Sequence, residues 1–114
     1  MKRKKKQRDL AIQSATQYAI EIPFKVMEIS LESMELIHQM ATSGNPNSVT
    51  DAGVGALCAR SAVLGAFMNV KINAASFQDK NFVSDIISKG EEIERIAIEK
   101  EKEIITIVNS KIKL

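Results

Sequence analysis

The sequence has very little of the residue types that build disulfide frameworks, metal sites and aromatic binding platforms. A single cysteine, Cys58, excludes an intrachain disulfide. His38 is the sole histidine and has no partner at metal-ligand spacing, so we expect no bound metal. Tryptophan is absent and aromatic residues make up 4% of the chain, which disfavours a platform on which nucleic-acid bases stack.

Loop-forming residues are scarce as well. Two prolines and five glycines occur in 114 residues, and no glycine-rich phosphate loop or nucleophile triad is present. The chain is instead rich in Ile, Glu, Lys and Ala, which favours helices over strands. The length suits one small domain, 1–114, and the net charge of +2 implies no acidic partner.

The position of Cys58 bears on the setting of the protein. It lies inside an apolar run, Ala52–Met68, so we expect it to be a buried packing residue. A chain with one cysteine fits a reduced, cytoplasmic location, and no apolar signal segment follows the basic start. The apolar run is too short for a membrane span and contains Arg60, so we expect no membrane partner.

The segment 44–57 is the central feature of the chain. Gly44–Asn47 predicts a turn, because proline cannot continue a helix and glycine and asparagine suit tight turns. Ser48 is the expected N-cap of the next helix, with Asp51 in its first turn. Small residues then recur every three or four positions and predict a face that a second backbone can approach closely; they are Ala52, Gly55, Ala59, Ala62 and Ala66, followed by Asn69 and Asn73.

Hydrophobic periodicity predicts three long helices. The first covers Leu10 to about Thr42, with a kink or break at Pro23. Its predicted apolar face is Val26, Ile29, Ser33, Leu36 and Met40, widened by Phe24, Met27, Leu31 and Met34. The second runs from Ser48 to about Ala75, and the third, capped by Asp79, from Lys80 to about Ile112. Short connections between long helices predict an all-α antiparallel bundle of about three helices.

Charged residues outside these faces have structural interpretations. The basic run Met1–Arg8 is expected to be a solvated, frayed helix start; the alternative is a nucleic-acid or anionic-membrane patch, although we expect neither nucleic acid nor membrane as a partner. Arg60, in apolar surroundings, is expected to pair with a glutamate of another helix or subunit. Gly90 is expected to mark close packing or a bend.

Two separated motifs resemble a known family. The segment GNPNSVTDAGVGAL at 44–57, followed by GAFMNVKIN at 65–73, resembles the cyclodeaminase/cyclohydrolase family, which includes the cyclodeaminase part of formiminotransferase-cyclodeaminase and bacterial methenyltetrahydrofolate cyclohydrolases. The segment AIEIP at 19–23 is similar to that family's proline-containing helix, and the resemblance extends from roughly residue 8 to the C-terminus. Family members are usually longer and begin with a Pro-Gly-Gly-Gly-Ser-type turn that is absent here, so we expect a C-terminal portion of such a protein, by truncation, a split gene or a decayed copy.

The resemblance implies one-carbon folate chemistry. A cyclodeaminase closes 5-formimino-tetrahydrofolate to the 5,10-methenyl form and releases ammonia, as a lyase. A cyclohydrolase adds water to the methenyl carbon and opens the ring to 10-formyl-tetrahydrofolate. Both reactions need proton transfer and neither requires a metal or redox cofactor, so the resemblance implies a tetrahydrofolate derivative as substrate and no cofactor.

The resemblance also implies roles for five residues. Asp51 is the candidate acid or base, and Lys71 would bind negative charge on the substrate or polarise the reacting group. Asn47, Asn69 and Asn73 would orient the pterin or the glutamate by hydrogen bonds.

Three functional hypotheses remain open at this point. The first is a folate enzyme or its fragment, and the second is a non-catalytic helical module that assembles with itself or a partner. Both imply a homodimer or a partner that supplies missing helices, because three helices leave the apolar run partly uncovered. The third and weakest is a basic-tailed nucleic-acid binder.

Overall fold

The computed structural model describes residues 2–114 and shows three long helices. They are α1 (Lys2–Ser43), α2 (Val49–Ala74) and α3 (Lys80–Lys111), and a short 3-10 turn, Pro46–Ser48, precedes α2. Residues 2–114 contain no strand, and each long helix packs against the other two. The predicted all-α bundle is therefore confirmed.

Side-chain contacts give the directions of the helices. Gly55 of α2 lies against Ile37 of α1, and Asn73 reaches Ala19, so α1 and α2 are antiparallel. Gly53 of α2 lies against Val108 of α3, and Phe67 of α2 lies against Gly90, so α3 is antiparallel to α2.

The basic start is regular helix where the structure describes it. Residues 2–8 belong to α1 and are exposed to solvent, as expected for a solvated run, whereas Met1 lies outside the described residues. The helix therefore begins well before Leu10, where the hydrophobic pattern begins.

Pro23 does not end α1. The helix continues through Pro23 to Ser43, so the predicted break does not occur. Proline has no N–H, and the carbonyl of Ala19, four residues earlier, loses its usual donor. The side-chain amide of Asn73 in α2 donates to this carbonyl at 3.4 Å. A contact between helices thus replaces the missing hydrogen bond within α1.

The turn before α2 is held by its own polar groups. The Asn45 side chain accepts a hydrogen bond from the Asn47 N–H at 2.9 Å. Ser48 occupies the N-cap position, as predicted, but its hydroxyl donates to the Asn45 carbonyl at 3.1 Å rather than capping α2. Gly44 is needed for space, since a Cβ there would collide with the Met40 carbonyl oxygen, and no described residue has a positive φ.

The core of α1 differs from its predicted apolar face. The buried side chains are spaced by seven residues, at Ile20, Met27, Met34 and Ala41. The four residues expected at the centre of the face, Val26, Ile29, Leu36 and Met40, are instead 43% to 61% exposed. Because α1 is apolar on two adjacent faces, its periodicity did not show which one packs, and α2 and α3 cover the face centred on Met27 and Met34.

Phe67 is the largest fully buried side chain and packs directly on Gly90. A Cβ at Gly90 would overlap the Phe67 ring, and the α3 backbone approaches α2 closely at this point. The prediction that Gly90 marks close packing is confirmed.

Three polar contacts fix the helices at their surfaces. Arg60 lies 3.3 Å from the Glu101 carboxylate of α3, and Glu101 is only 8% exposed, so the predicted pairing of Arg60 with another helix is confirmed. Lys100 lies 2.9 Å from Glu35 of α1, and its ammonium lowers the pKa of the Glu35 carboxyl. Lys111 of α3 donates to the Thr42 carbonyl at the end of α1 at 2.7 Å.

Because Phe67 packs directly on Gly90, a larger residue at position 90 is expected to destabilise the bundle. Gly90→Ala should lower the free energy of unfolding by about 1–2 kcal/mol, because overpacking outweighs the gain of roughly 1 kcal/mol in helix propensity. Urea denaturation measures the change. Ser88→Ala, at an exposed position of α3, is the matched control and should be neutral or slightly stabilising. Equal midpoints for Gly90→Ala and the wild-type chain would contradict the close packing.

The hydrogen bonds from Lys111 to the end of α1 are expected to stabilise the bundle. Lys111→Met should destabilise the bundle by about 1–2 kcal/mol, because it leaves carbonyls at a helix C-terminus without their cationic donor. The control is Lys113→Met, since Lys113 is exposed and lies beyond α3. If both variants unfold at the same urea concentration, the Lys111 hydrogen bonds contribute nothing.

Candidate functional site

One side of α2 is exposed although the helix is apolar nearly all round. Val54, Leu57, Met68 and Ile72 are 48% to 73% exposed. Cys58 is exposed as well, so the prediction of a buried packing residue was wrong. The reason is geometric: α1 and α3 contact α2 on one side, and the opposite side has no neighbour within the described residues.

An exposed apolar stripe on α1 lies beside this side of α2. Together the two stripes form what we call the uncovered face; its apolar members are Tyr18, Ile22, Val26, Ile29, Leu36 and Met40 of α1 and Val54, Leu57, Met68 and Ile72 of α2. A contiguous exposed apolar area of this kind is typical of an interaction or binding surface.

A groove runs along the uncovered face between α1 and α2. We call it the amide groove; its cavity is about 680 Å³, and its lining is Tyr18, Ala19, Ile22, Pro23, Val26, Ser61, Ala62, Gly65, Ala66, Asn69 and Asn73. Most of its wall is apolar, and the two asparagines supply amide groups at one end. A mainly apolar cleft with a few polar groups is the usual form of a small-molecule site.

The structure brings together two of the predicted site residues, Asn69 and Asn73. The Asn73 side-chain nitrogen donates to the Ala19 carbonyl at 3.4 Å and to the Asn69 carbonyl at 2.9 Å. Both amide hydrogens are therefore engaged, and the side-chain oxygen is left as an acceptor for a ligand. Asn69 is exposed at the same end of the amide groove.

Asp51 and Asn47 lie at the other end of α2. Both are exposed, with Asp51 in the first turn of the helix and Asn47 in the preceding 3-10 turn. Eighteen residues separate Asp51 from Asn69, which corresponds to about 27 Å along a helix. One chain therefore does not place the predicted acid or base beside the predicted substrate amides.

Lys71 faces away from the amide groove. It follows Asn69 by two residues, so its side chain points about 200° further round α2. Its ammonium lies 4.5 Å from the ring centroid of Phe67, in a cation–π contact on the side that faces α3. Asp51 and Lys71 are about 30 Å apart along the helix. The two predicted catalytic residues do not meet within one chain.

The α1 wall of the amide groove was missed as a site from the sequence alone. Tyr18, Ile22 and Val26 follow one another at intervals of four and form the α1 side of the groove. Their spacing was visible, but it is also the spacing of a core-facing stripe. Tyr18 is 66% exposed, which identifies the stripe as a groove wall rather than a core-facing stripe. This exposure cannot be predicted from the sequence.

Two features bear on metals and membranes. Within residues 2–114, no group of three or more His, Cys, Asp or Glu side chains is placed to hold a metal ion.

One helical stretch, Pro46–Ala74, is long and apolar enough to cross a membrane by length and composition. The test is weak for a single helix, because the central helix of a bundle passes it too. Here Arg60 of that stretch is paired with Glu101.

Comparison with known proteins agrees with the resemblance of the central motifs. A family model described as formiminotransferase-cyclodeaminase matches residues 1–92, which contain all five predicted site residues and both walls of the amide groove. The match includes the basic start, which the motifs did not suggest, and ends within α3.

Three curated relatives give the same result. The chain is 33% identical over 105 residues to a formimidoyltransferase-cyclodeaminase of Dictyostelium discoideum, covering 92% of this chain and 20% of that protein. It is 32% identical over 74 residues to a methenyltetrahydrofolate cyclohydrolase of Methylorubrum extorquens, covering 65% and 36%. A formimidoyltransferase-cyclodeaminase of Rattus norvegicus is 29% identical over 75 residues, covering 66% and 14%.

The chain thus spans a fifth to about a third of the first two relatives. The family match nevertheless covers most of the chain and contains the groove and its asparagines. The chain belongs to the formiminotransferase-cyclodeaminase family.

Proposed function

We propose that this chain acts on a tetrahydrofolate derivative in one-carbon metabolism, as part of a formiminotetrahydrofolate cyclodeaminase or a methenyltetrahydrofolate cyclohydrolase. The observation that carries the proposal is the amide groove. Most of its lining residues lie in the family-like segments 19–23 and 65–73, and its amides lie at one end of an apolar cleft. The similarity to a formimidoyltransferase-cyclodeaminase and a methenyltetrahydrofolate cyclohydrolase supports the substrate class.

The groove has the chemistry that a pterin needs. A pterin is flat and carries ring amide and amino groups, so it needs a flat apolar surface and hydrogen-bonding groups at its edge. Pro23, Gly65 and Ala66 supply a surface with few protruding side chains. The side-chain oxygen of Asn73 accepts from a pterin N–H, and Asn69 both donates and accepts.

Asp51 and Lys71 take separate roles in this proposal. Asp51 is the acid or base: it accepts a proton from the attacking water in the hydrolysis, or transfers one at the departing nitrogen in the deamination. Lys71 binds negative charge on the substrate, such as the glutamate carboxylates, at a distance from the reacting carbon. Asn47, beside Asp51 in the chain, orients the substrate near the proton transfer. None of these steps needs a metal or redox cofactor.

The uncovered face supports an assembly with further helices. We infer that either a second copy or a partner with helices like those of the longer relatives covers it, because exposed apolar area of this extent favours association. We propose a cytoplasmic location, with neither nucleic acid nor membrane as partner, since one free cysteine fits a reduced compartment.

The second candidate function is a non-catalytic helical interaction module. The separation of Asp51 from Asn69 along α2 favours it, because a lone chain does not bring the proposed catalytic carboxylate to the substrate amides. The same uncovered face serves assembly in either case.

Turnover separates the two candidates. The purified chain should accelerate the loss of 5,10-methenyl-tetrahydrofolate absorbance over a no-protein blank, and Asp51→Asn should reduce that acceleration by about 100-fold or more. Circular dichroism verifies that both proteins are folded. A folded wild-type chain with the rate of the blank would contradict enzymatic activity of the chain alone and favour the interaction module.

Ligand binding tests the groove without turnover. Asn69→Leu should weaken binding of 5-formyl-tetrahydrofolate about 10-fold in calorimetry, since one hydrogen-bonding amide at the groove is lost. Asn81→Leu is the matched control, because Asn81 is an exposed asparagine on α3 away from the groove. An equal effect of the two substitutions would place the folate elsewhere.

A further inference from the structure

Tyr18 carries an aromatic ring that the bundle itself does not use. The chain has four phenylalanines, one tyrosine and no tryptophan. The phenylalanines lie in the core or pack against it, whereas Tyr18 packs in neither part of the core and is 66% exposed. Its ring contributes little to the stability of the fold, because an aromatic side chain stabilises a protein mainly by burying its apolar area. The ring of Tyr18 is therefore available to a ligand.

Tyr18 lines the amide groove at the end where the two asparagines lie. The next residue in α1, Ala19, accepts the hydrogen bond from the Asn73 side-chain nitrogen at 3.4 Å. Tyr18 and Asn73 are thus at the same level of the groove, and Asn69 lies one turn further along α2. An exposed aromatic ring and hydrogen-bonding amides therefore border the same part of the cavity.

The α2 wall beside these asparagines has no long side chain. Gly65 and Ala66 line it, and a Cβ built on Gly65 would meet no atom within 4 Å. A flat ring can lie against such a wall, because nothing projects from it to hold the ring away. The other face of that ring is then open to a second flat group, and Tyr18 supplies one on the neighbouring helix.

The groove is longer than one ring system. Its lining extends along α2 from Asn73 to Ser61, twelve residues that correspond to about 18 Å of helix. Toward the far end the lining is Val26, Ser61 and Ala62, without an aromatic side chain or an amide side chain. A flat ring with a polar edge is therefore suited to one end of the groove, the end with Tyr18.

We propose that Tyr18 stacks on the pterin ring of the substrate while Asn69 and Asn73 bind the edge of that ring. Stacked aromatic groups attract each other beyond what their buried area contributes. Tyr18 is then a specificity-determining residue, since it selects a flat ring at this end of the groove. The nature of the ring rests on the folate function proposed above.

The amides decide which ring of a folate lies at this end. A folate has two flat groups, the pterin and the aminobenzoyl ring. The edge of the pterin carries N–H, amino and carbonyl groups, whereas the edge of the aminobenzoyl ring is mostly C–H. Asn69 and Asn73 would lose hydrogen bonds to water without replacement if the aminobenzoyl ring lay beside them. The pterin is thus the ring that suits both Tyr18 and the asparagines.

The signals of a single tyrosine test the contact without any turnover. Tyr18 is the sole tyrosine, so a chain labelled with ¹³C in its tyrosine ring gives NMR signals from this residue alone. Addition of 6-methyl-tetrahydropterin should move the ring-proton signals upfield, because a stacked ring shields the protons above it. The same concentration of p-aminobenzoyl-glutamate should leave them in place. A shift with p-aminobenzoyl-glutamate alone would overturn the proposal.

Substitution of Tyr18 tests the energetic contribution of the ring. Tyr18→Leu should weaken binding of 5-formyl-tetrahydrofolate about 10-fold in calorimetry, and Tyr18→Phe should retain the affinity within about twofold, because phenylalanine keeps the ring. Leu36→Ala is the control, since Leu36 is an exposed apolar residue of α1 outside the groove. An equal loss in Tyr18→Leu and Leu36→Ala, or in Tyr18→Leu and Tyr18→Phe, would contradict stacking.

The same titrations separate this proposal from the folate function. If the wild-type chain and Tyr18→Leu bind 5-formyl-tetrahydrofolate equally well, the stacking is wrong and the folate function stands. If the folded wild-type chain does not bind it at all, the folate function is overturned and the stacking with it. Sedimentation provides a further check: a Tyr18→Leu chain with altered association but unchanged affinity would show that the ring contacts another protein chain, which also overturns the proposal.

Discussion

A helix that is apolar around nearly its whole circumference needs neighbours on every side, and within residues 2–114 α2 packs against two long helices. The exposed apolar stripe of α2 and the groove beside it follow from this lack of neighbours. The side that α1 and α3 cover forms the core around Phe67 and Val63. The side that they leave open contains Cys58, the exposed apolar stripe and one wall of the amide groove. The same composition that stabilises the bundle therefore also produces its binding surface.

Where α1 and α2 meet at Pro23, a hydrogen bond that stabilises the fold also positions residues of the groove. Pro23 removes a hydrogen bond inside α1, and Asn73 replaces it from α2. That exchange fixes the proline, the two asparagines and the small residues of α2 in one place. Asn73 has a structural role through its nitrogen and remains available to a ligand through its oxygen. The two roles use different atoms and do not compete.

The fold could be predicted from the sequence because its signals are local. Asp79 accepts a hydrogen bond from the Phe82 N–H as a predicted N-cap, and Gly90 packs closely as expected. The predictions for Cys58 and for the apolar face of α1 were wrong, because they depend on which sides of a helix have neighbours. The separation of Asp51, Asn69 and Lys71 followed from residue numbers alone, once a continuous helix was accepted. The pairing of Asn73 with Ala19 did not, since it joins residues 54 positions apart.

Lys111 connects the last turn of the chain's third helix to the beginning of its site. Its ammonium satisfies the carbonyls of Ala41 and Thr42, and the turn that carries Asn47 and leads to Asp51 starts just after them. Lys111 lies beyond residue 92, where the family match ends. A residue beyond those that the family model matches thus anchors residues within the matched part. We expect chains of this family that differ at this end to differ in the order of the 44–48 turn, which amide hydrogen exchange would measure.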